Sequence, residues 1–189
     1  MGAGDRHEPL EAFVDGVRRG DRQAVAAVYV ELAPALRGYL LRDVRHGEVA
    51  DDLLEQTFLE LLEDGWRLEG DGRALRAWLF RAARNNLLDW RKRAERRSDH
   101  ELTPAHAASL ADEAPDPAEQ VAAASSDPRL VAALAQLTAE QREVVELRLV
   151  AQLPVARVAE LTGRSAGAVR VLQHRALRRL AQLLETAPR

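Results

Sequence analysis

The 189-residue chain contains no cysteine, and aromatic residues make up only 4% of it. Without cysteine it forms neither a disulfide nor a thiolate metal site, which fits a reducing cytoplasm. No uninterrupted apolar run approaches the roughly 18 to 20 residues that span a bilayer, and the polar residues 1–8 lack the apolar stretch of a signal peptide. We therefore expect a cytoplasmic protein without membrane insertion.

Patterns typical of enzymes and metal sites are missing as well. The five histidines show no paired metal-ligand spacing, and no glycine-rich phosphate loop of the Lys–Ser/Thr kind occurs. Asp51 and Asp52 are adjacent, so on a helix their side chains point about 100° apart. This favours a solvated or protein-binding face over a cation site. We expect no metal, no cofactor and no enzymatic activity.

Alanine, leucine, arginine and glutamate dominate the chain, and apolar residues recur at helical spacing, which predicts an all-α fold. Asp21 is a plausible N-cap for a long helix, or a kinked pair, that contains Pro34. A second helix covers about 48–63, and its inward residues are Ala50, Leu54, Phe58, Leu61 and Leu62. Residues 64–73 carry three glycines and predict a loop, after which a third helix runs from about Ala74 to Arg97.

The second half of the chain has the spacing of a helix-turn-helix. Thr138 and Gln141 fit a capping box. Further along, Val158 would pack a short helix on the next, Gly163 suits the turn, and Ser165 can cap a helix that starts at Ala166. An inward stripe on that last helix consists of Val169, Leu172, Ala176, Leu180 and Leu183.

These patterns divide the chain into two small helical domains. Residues 1–20 form an N-terminal tail and helix start, and residues 21–97 form the first domain. Apolar periodicity fails over 98–128, which predicts a flexible acidic linker, and residues 129–186 form the second domain.

The net charge of −3 conceals a strong segregation of charge along the chain. Residues 1–65 carry −7 and residues 98–128 also carry −7, whereas residues 66–97 carry +6. Residues 164–179 contain five arginines and no acid. Two basic blocks separated by an acidic linker indicate two contacts with one polyanion.

The basic block of the first domain has the composition of a single-strand binding helix. Arg81, Arg84 and Asn85 fall on or near one helical face, and they combine cations for phosphates with an amide for bases. Trp78 is better explained as a core residue. Trp90, beside the densest run of cations, is suited either to stacking on an unpaired base or to partial burial.

Four segments together resemble bacterial sigma factors of the extracytoplasmic-function type, in family order and spacing over about 21–184. They are ADDLLEQTFL from Ala50, AWLFRAARN from Ala77, LTAEQREVV from Leu137 and SAGAVR from Ser165. The resemblance implies a two-domain subunit that binds core RNA polymerase, directs it to promoter DNA and helps to melt it. It also implies control by an anti-sigma factor.

The same resemblance, with the exposed side chains of each helix, implies three binding sites. The site for polymerase comprises Asp52, Glu55 and Gln56. The site for the minus-ten element, near the 64–73 loop, comprises Arg73, Arg81, Arg84, Asn85, Trp90, Arg91, Lys92 and Arg93. The site for the minus-thirty-five element comprises Arg164, Ser165, Ala166, Arg170, Gln173, His174, Arg175 and Arg178.

Two other classes of function stay open at this point. A stand-alone helix-turn-helix regulator with an N-terminal dimerisation or sensor domain would bind duplex operators without polymerase, but it would not explain the basic block at 77–97. A helical enzyme or adaptor has no catalytic constellation to support it.

Overall fold

The structure, a computed structural model, describes residues 10–44, 46–100 and 128–186. The described part of the chain contains eight α-helices and no β-strand, which confirms the all-α fold. The first half holds α1 (Glu11–Arg18), α2 (Arg22–Leu41), α3 (Gly47–Asp64) and α4 (Gly72–His100). The second half holds α5 (Pro128–Ala135), α6 (Ala139–Val145), α7 (Val155–Thr162) and α8 (Ala166–Thr186).

Helix α2 is one continuous helix and not a kinked pair, although Pro34 lies inside it. The Asp21 carboxylate caps it by accepting a hydrogen bond from the backbone N–H of Gln23 at 2.8 Å. Leu32, Leu36 and Leu40 are fully buried against α3 and α4. By length and composition alone, α2 is apolar enough to cross a membrane, although the sequence contains no uninterrupted apolar run of that length. Half of this stretch is buried in the core.

The buried face of helix α3 is shifted relative to the predicted one. Leu53 and Thr57 are buried beside the expected Ala50, Leu54, Phe58 and Leu61. Leu62 is 39% exposed, so its predicted inward position is wrong. Leu62 lies at the edge of the buried stripe, where it lines an open groove beside Tyr29 instead of the core.

Helix α4 begins at Gly72, where the Asp71 carboxylate accepts hydrogen bonds from the backbone N–H groups of Arg73 and Ala74, both at 3.0 Å. It continues to His100, three residues into the segment predicted as linker. The predicted tail at 1–9 and the rest of the linker at 101–127 lie outside the described residues, and the domain boundaries stay a prediction.

The helix-turn-helix forms as the sequence predicts. Thr138 and Gln141 make the reciprocal capping box, with both hydrogen bonds at 3.2 Å. Gly163 ends α7 at φ 65°, in the left-handed region that glycine enters without strain. Ser165 Oγ accepts a hydrogen bond from the backbone N–H of Ala168 at 3.1 Å. On α8, Val169, Ala176 and Leu180 are buried, and Leu172 and Leu183 are partly buried.

The two halves share one hydrophobic core, a contact that the sequence does not predict. Val144 and Leu147, in and after α6, are buried in the same cluster as Leu36, Tyr39 and Phe80 of the first half. Since more than sixty positions separate the residues of the two halves, no local pattern joins them.

Candidate nucleic-acid interface

The polar face of α3 is exposed, as predicted. Asp52, Glu55 and Gln56 all lie at the surface, and Gln56 donates a weak hydrogen bond to Glu60 at 3.4 Å. Asp51 is different, because Arg37 of α2 donates to its carboxylate at 2.6 Å and 3.1 Å. This bonding holds the pKa of Asp51 below its usual value. Asp52 and Glu55, unlike Asp51, are therefore the acids of this face that are available to a partner.

An apolar groove runs beside this polar face. The ring of Tyr29 on α2 packs at a tilt of 59° against that of Phe58, with 4.8 Å between the ring centres, and the groove between α2 and α3 has a volume of about 330 Å³. Leu59 and Leu62 line it, and Val30 on α2 is 77% exposed. Tyr29 is 45% exposed, so α2 contributes to this surface, which the sequence does not predict. Exposed apolar groups next to carboxylates are typical of a protein-binding site.

On the basic face of α4, some side chains are exposed and others are paired or partly buried. Arg81 and Asn85 are exposed. Arg84 has only 18% of its side chain exposed, because its Nε donates to Glu143 of α6 at 3.1 Å. Trp90 is partly buried against the core, as is Trp78. Of the two alternatives for Trp90, the structure shows partial burial.

The cations at the C-terminal part of α4 also have partners. Arg91 donates to Asp43, which follows α2. Lys92 contacts the Asp89 carboxylate at 3.2 Å, and Arg93 Nε donates to the Asp89 backbone carbonyl, also at 3.2 Å. The Lys92 pair is exposed, so it contributes little to stability and leaves the cation accessible.

A cleft lies between residues 64–73, α4 and α7. Its volume is about 560 Å³, and Trp78 and Arg81 line it from α4. Residues Gly65–Arg67 form a 3-10 turn in which Trp66 is 61% exposed, with the Arg67 guanidinium 4.7 Å from the centre of its ring. Arg73 is exposed at the second position of α4. The exposed Trp66 is a further aromatic side chain that helical periodicity could not reveal, because it lies in a loop.

Helix α8 presents its basic side chains to solvent as predicted, whereas its predicted base-contacting glutamine is less accessible. Arg170, His174, Arg175 and Arg178 are exposed, and Ala166 is partly buried as the first residue of α8. Gln173 is half-buried, and its Oε1 accepts a hydrogen bond from Arg148 Nε at 3.2 Å.

Just before α8, the side chain of Arg164 contacts the Glu140 carboxylate at 2.9 Å. Arg164 Nε is buried and has no hydrogen-bond partner in the described part of the chain.

A buried ion network joins the two halves behind the α4 face. Arg42 donates to Glu146 at 2.8 Å and to Asp43 at 2.7 Å, and its side chain is only 7% exposed. Burial raises the pKa of Glu146 to about 7, although Arg42 opposes the shift. Burial also raises the pKa of Tyr39 to about 12, where Arg42 sits 4.5 Å above the ring. No group of acids or histidines suited to a metal ion occurs among the described residues.

Comparisons with known proteins identify both halves. Residues 28–97 match the family model of sigma-70 region 2, and residues 128–180 match that of sigma-70 region 4. The chain is 34% identical to the RNA polymerase sigma factor CarQ of Myxococcus xanthus over 93% of this chain and 95% of CarQ. It is 31% identical to the ECF RNA polymerase sigma factor SigL of Mycobacterium tuberculosis, over 92% of this chain and 96% of SigL.

A similar match to the ECF RNA polymerase sigma factor BldN of Streptomyces coelicolor, at 31% identity, covers 91% of this chain and 64% of the length of BldN. Among solved structures, CnrH in complex with the cytosolic domain of CnrY matches with a TM-score of 0.60, at 21% identity over 96% of this chain and all of CnrH. The sigma factor RpoE of Bartonella quintana, in complex with the anti-sigma factor NepR, matches with a TM-score of 0.58 at 22% identity, over 85% of this chain and 96% of RpoE. These two structures share the fold.

Both sigma-70 regions are thus present in order, on a helical fold of the same kind. The chain belongs to the sigma-70 family and is a sigma factor of the extracytoplasmic-function type, a transcription initiation factor that binds core RNA polymerase and directs it to promoters.

Proposed function

We propose that this sigma factor uses three separate surfaces, one for polymerase and two for the two promoter elements. The observation that carries this assignment is the arrangement of α8, where exposed cations stand opposite a buried apolar stripe within a helix-turn-helix. A helix of this kind enters the major groove of duplex DNA with its N-terminal part.

On this proposal, α8 binds the duplex minus-thirty-five element. Arg170, Gln173 and His174 lie far enough along the exposed side to meet base edges, and Arg175 and Arg178 suit phosphates. At the start of the helix, Arg164, Ser165 and Ala166 would meet the DNA backbone, which helix N-termini favour. The Arg148 bond to Gln173 would have to break or be shared when Gln173 binds a base.

Helix α4 and the 64–73 loop bind the melted minus-ten element. Arg81 lines the cleft, Asn85 is exposed four residues further along α4, and Trp66 is exposed in the 64–73 loop. Cations with an accessible aromatic ring suit unpaired bases, because bases stack on the ring while the cations hold phosphates. Further contributions come from Arg73, Arg84, Trp90, Arg91, Lys92 and Arg93.

The α3 surface binds core polymerase through Asp52, Glu55 and Gln56, with the adjacent apolar groove as its hydrophobic centre. An anti-sigma factor that covers this surface would silence the protein, and the sigma factor RpoE of Bartonella quintana, which has the same fold, forms a complex with the anti-sigma factor NepR. The protein itself catalyses no reaction, since nucleotide transfer belongs to polymerase, and it acts in the cytoplasm with polymerase and promoter DNA.

The test is reconstitution of the chain with core RNA polymerase on fragmented genomic DNA, followed by mapping of transcript 5′ ends. We expect start sites that share two sequence elements about 35 and 10 base pairs upstream, the spacing implied by the two sigma-70 regions. A double variant, Arg170→Ala with Arg175→Ala, is the control and should lose these starts. Site-specific binding of duplex DNA without polymerase, and no new start sites with it, would favour the stand-alone regulator instead.

A further inference from the structure

Helix α1 holds the middle of the 64–73 loop through Arg18. Arg18 Nε donates to the backbone carbonyl of Leu68 at 2.9 Å, and Arg18 Nη2 donates to the carbonyl of Gly70 at 2.5 Å. Its third nitrogen, Nη1, contacts the Asp15 carboxylate at 3.0 Å. The guanidinium therefore has all of its nitrogens engaged and is fixed by α1 on one side and by the loop on the other.

A second contact from α1 fixes the far end of the loop. Glu11 accepts a hydrogen bond from the backbone N–H of Gly72, the first residue of α4, at 2.6 Å. At Gly72 the two backbones approach so closely that a Cβ atom would lie 2.8 Å from Glu11 N. Only glycine allows this approach, so the loop end and the start of α1 are held against each other.

The near end of the loop also packs on α1. A Cβ atom at Gly65 would lie 2.9 Å from Val17 Cγ1, and Val17 itself is fully buried. Leu68, whose carbonyl Arg18 binds, is a loop residue with its side chain buried in the core. The loop is thus anchored by α1 at its start, its middle and its end.

The residues between these anchors are exposed. Glu69 lies between the two carbonyls that Arg18 binds, and it lines the cleft that also contains Trp78 and Arg81. Gly70 has φ +105°, a conformation that L side chains rarely adopt, so this segment has a defined shape that Arg18 stabilises. The position of Glu69 therefore depends on Arg18, although Arg18 does not line the cleft.

We infer that α1 is a specificity element of this sigma factor and that Arg18 is a positioning residue, which sets the register of the 64–73 loop against the unpaired bases of the minus-ten element. This inference rests on the proposed function of the loop. Helix α1 lies before residue 28, where the match to sigma-70 region 2 begins, so the family match does not include it. The physical reason is that a loop reads bases only when its geometry is fixed before they bind.

The experiment uses holoenzyme reconstituted from core polymerase and the full chain, with Arg18→Ala and Arg18→Lys. The adjacent Arg19→Ala is the matched control, since Arg19 is exposed on the same helix end and is not hydrogen-bonded to the loop through its side chain. Transcription is measured from a promoter library in which only the minus-ten positions vary. Thermal unfolding of each variant is followed by circular dichroism.

We expect Arg18→Ala to reduce discrimination among minus-ten sequences by about tenfold, the effect of losing roughly 1.4 kcal/mol of selective binding. The discrimination of Arg18→Lys should lie between that of Arg18→Ala and that of the natural chain, because an ammonium group cannot span both carbonyls as the planar guanidinium does. Arg19→Ala should discriminate normally. Discrimination is the ratio of transcription rates from different promoters. If Arg18 only stabilised the fold, Arg18→Ala would lower all of these rates together and leave their ratio unchanged.

An unchanged ratio in Arg18→Ala would overturn the inference, whatever its effect on unfolding temperature. Glu69→Ala separates this failure from failure of the proposed function. If Glu69→Ala alters minus-ten preference and Arg18→Ala does not, the loop reads DNA without help from α1. If neither variant alters the preference, the loop does not read the minus-ten element, and both assignments are wrong.

Discussion

Arg84 on α4 donates through Nε to the carboxylate of Glu143 on α6, at 3.1 Å, although 59 residues separate them. A cation that the proposed function assigns to the minus-ten element is thus paired with an acid of the half that is proposed to bind the minus-thirty-five element. Both side chains are less than one-fifth exposed, so solvent screens this pair only weakly. On the proposed function, DNA phosphates would compete with Glu143 for the same guanidinium.

Glu143→Gln should increase the affinity of the isolated chain for a single-stranded minus-ten oligonucleotide. Removal of the carboxylate charge weakens the contact between the halves and leaves Arg84 available for a phosphate. We expect a gain of several-fold at low salt that shrinks as salt is added. Fluorescence anisotropy measures it, and Glu140→Gln, whose partner Arg164 lies in the same half, is the control. Equal affinities for both variants and the natural chain would contradict the prediction.

The free energy of unfolding should fall as the pH rises from about 4.5 through about 7, because of Glu146. Burial raises the pKa of Glu146 from its usual 4.5 to about 7, against the opposing effects of Arg42 and Arg142 and with a small contribution from Asp43. The folded state then binds the proton more tightly than the unfolded state does. The protonation of Glu146 therefore contributes its full stabilisation below the pKa of the unfolded state, 4.5. This stabilisation is lost as the pH rises through the folded-state pKa of about 7.

Urea unfolding between pH 5 and pH 8 measures this effect. The free energy of unfolding of the natural chain should fall over this range by more than that of Glu146→Gln, which cannot titrate at this position. Glu160→Gln, at an exposed acid on α7, should follow the natural chain. Parallel pH profiles for the natural chain and Glu146→Gln would show that Glu146 does not titrate in this range.

Asp52→Arg should weaken binding to core polymerase by about tenfold or more, the scale of an interface hot spot. Asp52 is exposed on α3 beside the apolar groove, so its reversal places a cation in the proposed interface without touching the core. Co-purification with core polymerase measures it. Glu185→Arg is the control, because it makes the same change in net charge at an exposed position of α8. Normal co-purification of a natively folded Asp52→Arg would refute the polymerase assignment.

Gln173→Ala should relax selectivity for the minus-thirty-five element, and Arg178→Ala should not. A side chain that contacts a base contributes about 1–3 kcal/mol of discrimination, whereas a phosphate contact weakens all sequences alike and lowers the salt dependence by about one unit. Binding of holoenzyme to a library of upstream variants separates the two effects. The opposite pattern would mean that α8 is rotated in the groove relative to the proposed orientation.

Asn85→Ala should lower promoter melting while leaving closed binding nearly intact, because Asn85 is exposed on the face proposed to meet unpaired bases. Trp90→Ala should have a similar effect, with a cost of about 1–3 kcal/mol if the ring stacks on a base. Since Trp90 also packs on the core, Trp90→Phe is needed to keep the packing. Permanganate reactivity of promoter thymines, beside a footprint of the upstream element, measures melting in holoenzyme. Normal reactivity in Asn85→Ala would leave the loop as the melting site.

The local features of this fold could be predicted, because they depend on residues three or four positions apart. The capping box at Thr138 and the left-handed Gly163 form as expected. The exposed face of α3 and that of α8 also follow from helical spacing alone. Leu62 shows the limit of such spacing, because a helix with more apolar residues than its neighbours can cover leaves some of them exposed.

The sequence by itself determined the helices, their caps, the helix-turn-helix and the family, since all of these depend on short-range spacing and on motifs in a fixed order. Only the tertiary structure decided which charges are available. Arg42 and Glu146 are 104 residues apart, Arg84 and Glu143 are 59 apart, and Arg18 and Gly70 are 52 apart. The sequence shows on which face of its own helix a cation lies. The acid that pairs with the cation lies on a neighbouring helix, and the shared core determines which helix that is.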